Sequence, residues 1–296
     1  MANFSISIIG AGRLGGAMAL ALSRKKYRIE NLAARKVETV SKIGKLIEPS
    51  PVILATNNFL TLTSDVVFIT TQDSEIRNVA EQLAEQLPNK PFVFHTSGAL
   101  SSEVLKSLKS TGCSVGSIHP LVSISDAMLG SEKFANAYFC VEGDDEAVKI
   151  AEDIVNQLDG KPFSIPTEHK TLYHASAVTA CGHLVALVDA AIEMLTKCGL
   201  DETKAQKVLL PLIKSTVENL DTQTTAEALT GTFARADTET LREHLAVLPV
   251  NISPEILEIY LILGARSLDL AERHGANRET IEKMRGQILL AKSNLK

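Results

Sequence analysis

The sequence predicts a doubly wound α/β domain with a parallel sheet, followed by an all-α domain. Two observations carry this. As far as residue 165, short apolar runs rich in Val, Ile and Phe alternate with amphipathic stretches, the pattern of βαβ units. After Pro166 the alternation stops and apolar residues recur only at helical spacing. A chain of 296 residues has room for both domains, placed at residues 1–166 and 167–296.

The elements follow in order. A strand over 4–9 runs into glycines, and further strands are expected at 66–70, 92–95, 114–118, 138–141 and 163–165. Between them lie helices over 73–87, ended by Pro88, and 144–158, ended by Asp159 and Gly160. From 168 to 198 one helical stretch without proline is stopped by Gly199. It is apolar nearly all round (Val178, Leu184, Leu187, Val188, Ile192), so burial on most sides is expected. Helices over 201–220, 238–247, 254–274 and 278–292 complete the chain.

Composition narrows the function classes. Apolar residues make up 45% and charged residues 22%, which excludes a disordered chain and supplies a sizeable core. A net charge of −5 gives no reason to expect a nucleic-acid partner. Aromatic residues are only 4%, so a ligand site would be built from backbone, aliphatic and polar groups. Cys113, Cys140, Cys181 and Cys198 form no CxxC pair, which points to free thiols and a cytoplasmic location. The apolar N-terminal stretch is broken by Arg13 and diluted by glycines, so neither a signal peptide nor a membrane span is expected.

The most informative segment is Gly10-Ala11-Gly12-Arg13-Leu14-Gly15, a GxGxxG pattern between a strand and a helix. Gly10 allows the tight turn, Gly12 lets a pyrophosphate approach the backbone, and Gly15 lets the helix pack on the strand. The amides opening the helix, at Arg13 and Leu14, favour an anion. About twenty residues beyond Gly15, where an NAD site places a carboxylate, stand Arg35 and Lys36; a guanidinium suits a 2′-phosphate, so NADP is the expected cofactor. Glu30 is too early for the carboxylate role. Thr70, Thr71 and Gln72, and Ser97 and Gly98, follow later strands at the edge where such ligands gather. Asp73 is expected to cap a helix and His95 to be a packed core residue.

A second set of residues suits a substrate. Lys170 and His174 are one turn apart at the head of the long apolar helix, where a protonated group can neutralise charge developing on a reduced C=O or C=N; they are the candidate catalytic pair. His119 and Ser123 follow a strand and are candidate substrate-binding residues. The stretch from Leu229 to Asp237 reads as a loop with Asp237 as a cap, and Arg235 within it suits a substrate carboxylate, which implies an anionic substrate. His169, His174 and His183 lack a helical i, i+4 pairing and no carboxylate joins them, so no metal is expected.

Together these residues resemble the NADP-binding half of the 6-phosphogluconate dehydrogenase-like superfamily, near pyrroline-5-carboxylate reductases and deazaflavin-dependent NADP oxidoreductases. The segments His95–Ala99, Ser117–Leu121, Tyr173–Ala177, and Leu229–Gly231 leading to Arg235, Asp237 and His244, resemble a bacterial family that joins a Rossmann-like domain to a C-terminal domain of unknown function. The resemblance implies NADP, a helical second domain, a cleft between domains, and a homodimer interlocked through the C-terminal helices. Gly182 stands where the family has Asn, and Thr232 and Ala236 where it has Pro and Gly. The expected activity is hydride transfer from NADPH to a small anionic carbonyl or imine. The alternatives are a catalytically silent NADP-binding sensor or assembly protein, and hydride exchange between NADP and a deazaflavin.

Overall fold

The computed structural model describes residues 4–25, 27–35, 37–54, 59 and 62–295. Its strands are β1 (Ser5–Ile9), β2 (Arg28–Ala33), β3 (Val52–Leu54), β4 (Val66–Ile69), β5 (Phe92–His95), β6 (Ser114–Pro120), β7 (Tyr138–Gly143) and β8 (Lys161–Ser164). Among the described residues they form one eight-stranded sheet in the order β3-β2-β1-β4-β5-β6-β7-β8. The chain winds one way from β1 to β3, then returns to β4 on the other side of β1 and winds away. That reversal makes the edge between β1 and β4 a topological switch point, where ligands of open α/β sheets bind.

The sheet is mostly parallel, with one correction to the expectation. β7 pairs antiparallel with β6, and β8 runs parallel to β7. Strand β3, three residues at the sheet's edge, is too short to announce itself in the sequence.

Helices α1 (Arg13–Arg24), α2 (Val37–Gly44), α3 (Asp73–Gln86), α4 (Lys106–Ser110), α5 (Ala127–Gly130) and α6 (Asp145–Gln157) fill the connections. One apolar layer, with Met18, Leu22, Phe94 and Ile154, packs α1 and α6 on one face of the sheet. Ile69, Ile76, Leu83 and Leu105 form the layer on the other face. Strands covered on both faces are the reason their sequences read as unbroken apolar runs.

From residue 170 the chain is helical: α7 (Lys170–Lys197), α8 (Glu202–Asn219), α9 (Gly231–Ala234), α10 (Thr238–Asn251), α11 (Pro254–Arg273) and α12 (Arg278–Ser293). The stretch read as a loop before Asp237 therefore contains a helical turn, α9. Asp237 caps α10 as expected, its carboxylate accepting the Thr240 N–H at 3.0 Å. Compactness divides the chain into residues 1–178 and 179–296, within α7, so the first two turns of that helix belong with the sheet. The second unit has its own core of Leu241, Leu261, Leu268 and Met284.

The burial expected for α7 does not hold within this chain. Leu172 and Val185 are each 71% exposed, and Val178, Leu184 and Leu187 also face solvent. Apolar residues all round a helix reveal that it needs cover; they do not reveal which surface supplies it.

Candidate functional site

Strand register brings four strand ends to one edge. Ile9 pairs with Ile69, Ile69 with His95, and His95 with Ser117. The residues just beyond those pairs are therefore level: Gly10 after β1, Thr70 after β4, Thr96 after β5, with Ile118 and His119 in β6.

At the switch point the glycines do three different things. Gly10 has φ +96°, and a Cβ there would lie 2.6 Å from the Thr71 nitrogen. Gly15 is excluded from being anything larger by Thr70, whose Oγ1 would stand 2.2 Å from its Cβ. That hydroxyl is fixed, donating to the carbonyls of Ile9 and Gly10. Gly12 is the exception: a Cβ there would meet only the Gly10 carbonyl oxygen, at 3.8 Å. The protein's own packing does not require a glycine at Gly12, so the space it leaves is available to a ligand.

Other features fit an anion there. Helix α1 starts with Gly12 as its N-cap, has no side-chain cap and carries no acidic residue in its first turn, leaving its first amides unsatisfied by the chain. Arg13 is exposed and Leu14 half-buried beside them. Thr71 Oγ1 is buried without a hydrogen-bond partner. Gln72 caps α3, and Asp73, expected as that cap, instead starts the helix and accepts the Ser97 hydroxyl at 2.8 Å.

Arg35 lies two residues past the end of β2, whose Ala33 carbonyl accepts the Gly10 and Ala11 amides. This places it beside the glycine turn, exposed. Glu30 is committed elsewhere, accepting the Ser64 hydroxyl at 2.7 Å. No carboxylate of β2 is thus left for a ribose, and a guanidinium stands at the strand's end. Lys36 lies outside the described residues.

Along the same edge a second cluster forms around the start of α7. Lys170 is 1% exposed; its Nζ donates to Ser117 Oγ at 2.9 Å and lies 3.8 Å from Cys140 Sγ. The ammonium also lies over the Tyr173 ring, 5.6 Å from its centroid. His119 Nδ1 and the Tyr173 hydroxyl are 2.7 Å apart. The His119 ring meets that of His174 edge to face at 5.9 Å. Gly98 fits beneath both: a Cβ there would lie 2.5 Å from His174 Nδ1 and 2.8 Å from His119 Nε2. His174 Nδ1 is buried without a partner, although the residue as a whole is half-buried.

The electrostatics of this cluster follow from burial first. Burial, then the charges of Lys170 and His174, pulls His119 down to about 4, so its ring is neutral at neutral pH. His95, completely buried, falls to about 3 for the same first two reasons. Its Nδ1 accepts the Ser97 N–H at 3.1 Å, which fixes the turn that presents Ser97 and Gly98. Burial lowers Lys170, while Cys140 and Glu142 oppose the fall. Burial raises the Cys140 thiol and the Tyr173 hydroxyl.

Lys170, His174, His119, Ser97 and Gly98 therefore come together, as do the glycine turn, Thr70, Thr71, Gln72 and Arg35. Ser123 is exposed on the segment after β6, with its carbonyl accepting Lys133 Nζ at 2.9 Å. Arg235 belongs to the second unit, exposed at the end of α9. In that unit His244 Nδ1 lies 2.7 Å from the Tyr260 hydroxyl. Tyr260 and Phe233 help line an apolar cavity of about 260 Å³ between α7 and α11. Sequence reasoning missed Ser117, Cys140, Glu142 and the role of Tyr173. The cue for Tyr173 was its spacing, one turn from Lys170; the strand residues gave none.

Comparison with known proteins bears on the fold. Residues 1–120 match the family described as a Rossmann-like domain, and residues 137–267 match the domain of unknown function DUF2520. The chain joins a Rossmann-like domain to a DUF2520 domain. No curated protein matches it in sequence. Among solved structures, the protein TM1727 from Thermotoga maritima is 26% identical with a TM-score of 0.72, the alignment covering 91% of this chain and 99% of that one. A proposed NADP oxidoreductase, BF3122 from Bacteroides fragilis, is 22% identical with a TM-score of 0.70, covering 90% and 98%. More distant is a Plasmodium falciparum pyrroline carboxylate reductase solved with NADP bound, 14% identical with a TM-score of 0.53 and complete coverage of both chains. The Rossmann-like and DUF2520 pair thus shares its fold with these solved structures.

Proposed function

We propose that this protein is an NADP-dependent oxidoreductase that reduces a small anionic carbonyl or imine. The observation that carries the reading is the open space at Gly12 beside an uncapped helix N-terminus, with Arg35 at the end of the neighbouring strand. Gly10, Gly12, Gly15 and the first amides of α1 would hold the diphosphate, and Arg35 the 2′-phosphate. Thr70, Thr71, Gln72, Ser97 and Gly98 would line the site along the same sheet edge. NADPH, when bound, supplies the hydride.

The chain's own residues manage the proton. A carbonyl oxygen or imine nitrogen gains negative charge on reduction and needs a donor. His174, with its uncommitted Nδ1, is that donor. His119, neutral and tied to Tyr173, offers a hydrogen bond that orients the reacting group. Lys170 is buried with its ammonium directed at Ser117 and Cys140; its part is to position Tyr173 and hold His119 neutral by its charge. Arg235 would anchor the carboxylate, and Ser123 remains a candidate substrate contact. The exposed apolar side chains of α7 support a homodimer formed through the C-terminal helices, and the free thiols support a cytoplasmic setting.

Calorimetry with NADPH and NADH, followed by NADPH oxidation against a panel of keto acids and cyclic imines, tests the proposal. The expected result is preference for NADPH and turnover of at least one panel member. Absence of binding by either nucleotide overturns it.

A further inference from the structure

The cluster contains a carboxylate to which the proposed mechanism gives no task. Glu142 lies in β7 and is 4% exposed. Its Oε1 accepts the Ser102 N–H at 2.8 Å, and its Oε2 accepts the Ser102 hydroxyl at 2.8 Å and the Thr167 hydroxyl at 3.2 Å. A buried carboxylate with three donors is costly to build and costly to disturb. Its two partners belong to segments remote from each other in sequence.

Each segment leads directly to the candidate site. From Ser97 to Ser102 the chain is a tight turn, with the Ser97 hydroxyl accepting the amides of Ala99 and Leu100. Thr167 opens the helical turn that precedes Lys170, with Tyr173 and His174 one turn further on. One carboxylate thus ties the segment bearing Ser97 and Gly98 to the segment bearing Lys170 and His174. The approach of Gly98 to the two histidine rings depends on the separation of these segments.

Glu142 also faces Lys170. In the antiparallel ladder Glu142 is directly opposite Ser117, and Cys140 is two residues away on the same strand. Opposite residues share a sheet face, as do residues two apart. Ser117, Cys140 and Glu142 therefore form the floor on which the Lys170 ammonium rests. The titratable groups around that ammonium are Cys140 and Glu142 from β7, His119 from β6, His95 from β5, and Tyr173 from its own helix. Glu142 is the one carboxylate of the set.

We propose that Glu142 is a positioning residue of this site, holding the Ser97–Gly98 turn and the start of α7 at a fixed separation and supplying the negative charge that faces Lys170. The assignment of a reaction to the site rests on the function proposed above; the clasp itself does not.

The experiment compares Glu142→Gln and Glu142→Ala in the full chain, with histidine and lysine isotopically labelled for NMR. Gln can still take the Ser102 N–H and engage both hydroxyls, so it keeps the clasp and removes the charge. Ala removes both. In Glu142→Ala, the His119 and His174 ring resonances shift. With the panel substrate, kcat falls at least 20-fold with a smaller change in KM. In Glu142→Gln, the ring resonances stay in place while Lys170 loses its proton at least one pH unit lower than in the parent. Should Glu142→Ala fail to fold, the Lys170 titration in Glu142→Gln decides alone. Unchanged histidine and lysine signals in both variants would overturn the proposal and leave Glu142 a structural carboxylate. A parent protein that binds no NADPH would sink the functional reading instead, with the NMR shifts still judging the clasp.

Discussion

The contrast between Gly12 and Gly15 gives the most direct test of the nucleotide site. Replacing Gly15 with Ala puts a methyl group 2.2 Å from Thr70 Oγ1 and 2.8 Å from the Gly10 carbonyl oxygen. Thr70 cannot rotate away without giving up its bonds to the Ile9 and Gly10 carbonyls. Overpacking of about 1–3 kcal/mol and a lost hydrogen bond of about 1 kcal/mol place the cost near 3 kcal/mol. That lowers Tm by roughly 6–12 °C at this size. Gly12→Ala meets only ordinary contact, 3.8 Å from the Gly10 carbonyl oxygen. Its cost is about 1 kcal/mol or less, the usual difference between Gly and Ala at an N-cap. Yet the new methyl occupies the space assigned to the diphosphate, so NADPH binding should weaken about 30-fold or more, roughly 2 kcal/mol. Thermal unfolding and calorimetry on the two variants separate the effects. A well-folded Gly12→Ala that binds NADPH as tightly as the parent refutes the site; a Gly15→Ala of undiminished Tm refutes the packing argument.

Three further outcomes follow from the same geometry. Arg35→Ala should weaken NADPH about 10- to 100-fold through the lost charge-assisted bonds and leave NADH nearly unchanged; equal losses by calorimetry would remove Arg35 from the 2′-phosphate role. His119 and His95 titrate in the folded state at about 4 and about 3 rather than 6.5. The unfolded chain therefore takes up these protons first: their contribution to stability is intact above pH 6.5 and is lost progressively as pH falls towards 4 and 3. For His119 this amounts to about 3 kcal/mol, so urea midpoints should fall less between pH 6.5 and 4.5 in His119→Asn than in the parent. Lys170→Met keeps the buried stem without the charge, so stability should change by less than about 1.5 kcal/mol. His119 should then titrate above 4 by NMR, and an unmoved midpoint would show that the ammonium does not act on the ring.

Much of the fold is legible because its signals are local. The glycine turn, the apolar runs covered on both faces and the capping Asp237 each announce themselves within a few residues. The direction of β7 does not, since an apolar strand reads the same either way, and the exposed edge strand β3 is too short to show a period. The site divides similarly. Lys170 and His174 stand out by helical spacing, and Arg35 by its distance from the glycines. Their setting is tertiary: Ser117, Cys140 and Glu142 sit on strands whose pairing only the folded sheet defines. The expected burial of α7 failed for a related reason, because a sequence states that a helix is apolar and not what will lie against it.

The reversed strand has an effect beyond its own pairing. Because β8 follows β7 in direction, its final residue, Ser164, pairs level with Val141, back from the end of β7 and toward the middle of the sheet. Helix α7 then climbs beside β6 in the strand's own direction, meeting Ser117 first through Lys170 and His119 next through Tyr173. With every strand parallel, the chain would reach the rim where the glycine turn lies before the helix began, and α7 would descend from it with its histidine moving away. The two inverted strands thus set the heading of α7, the longest helix among the described residues.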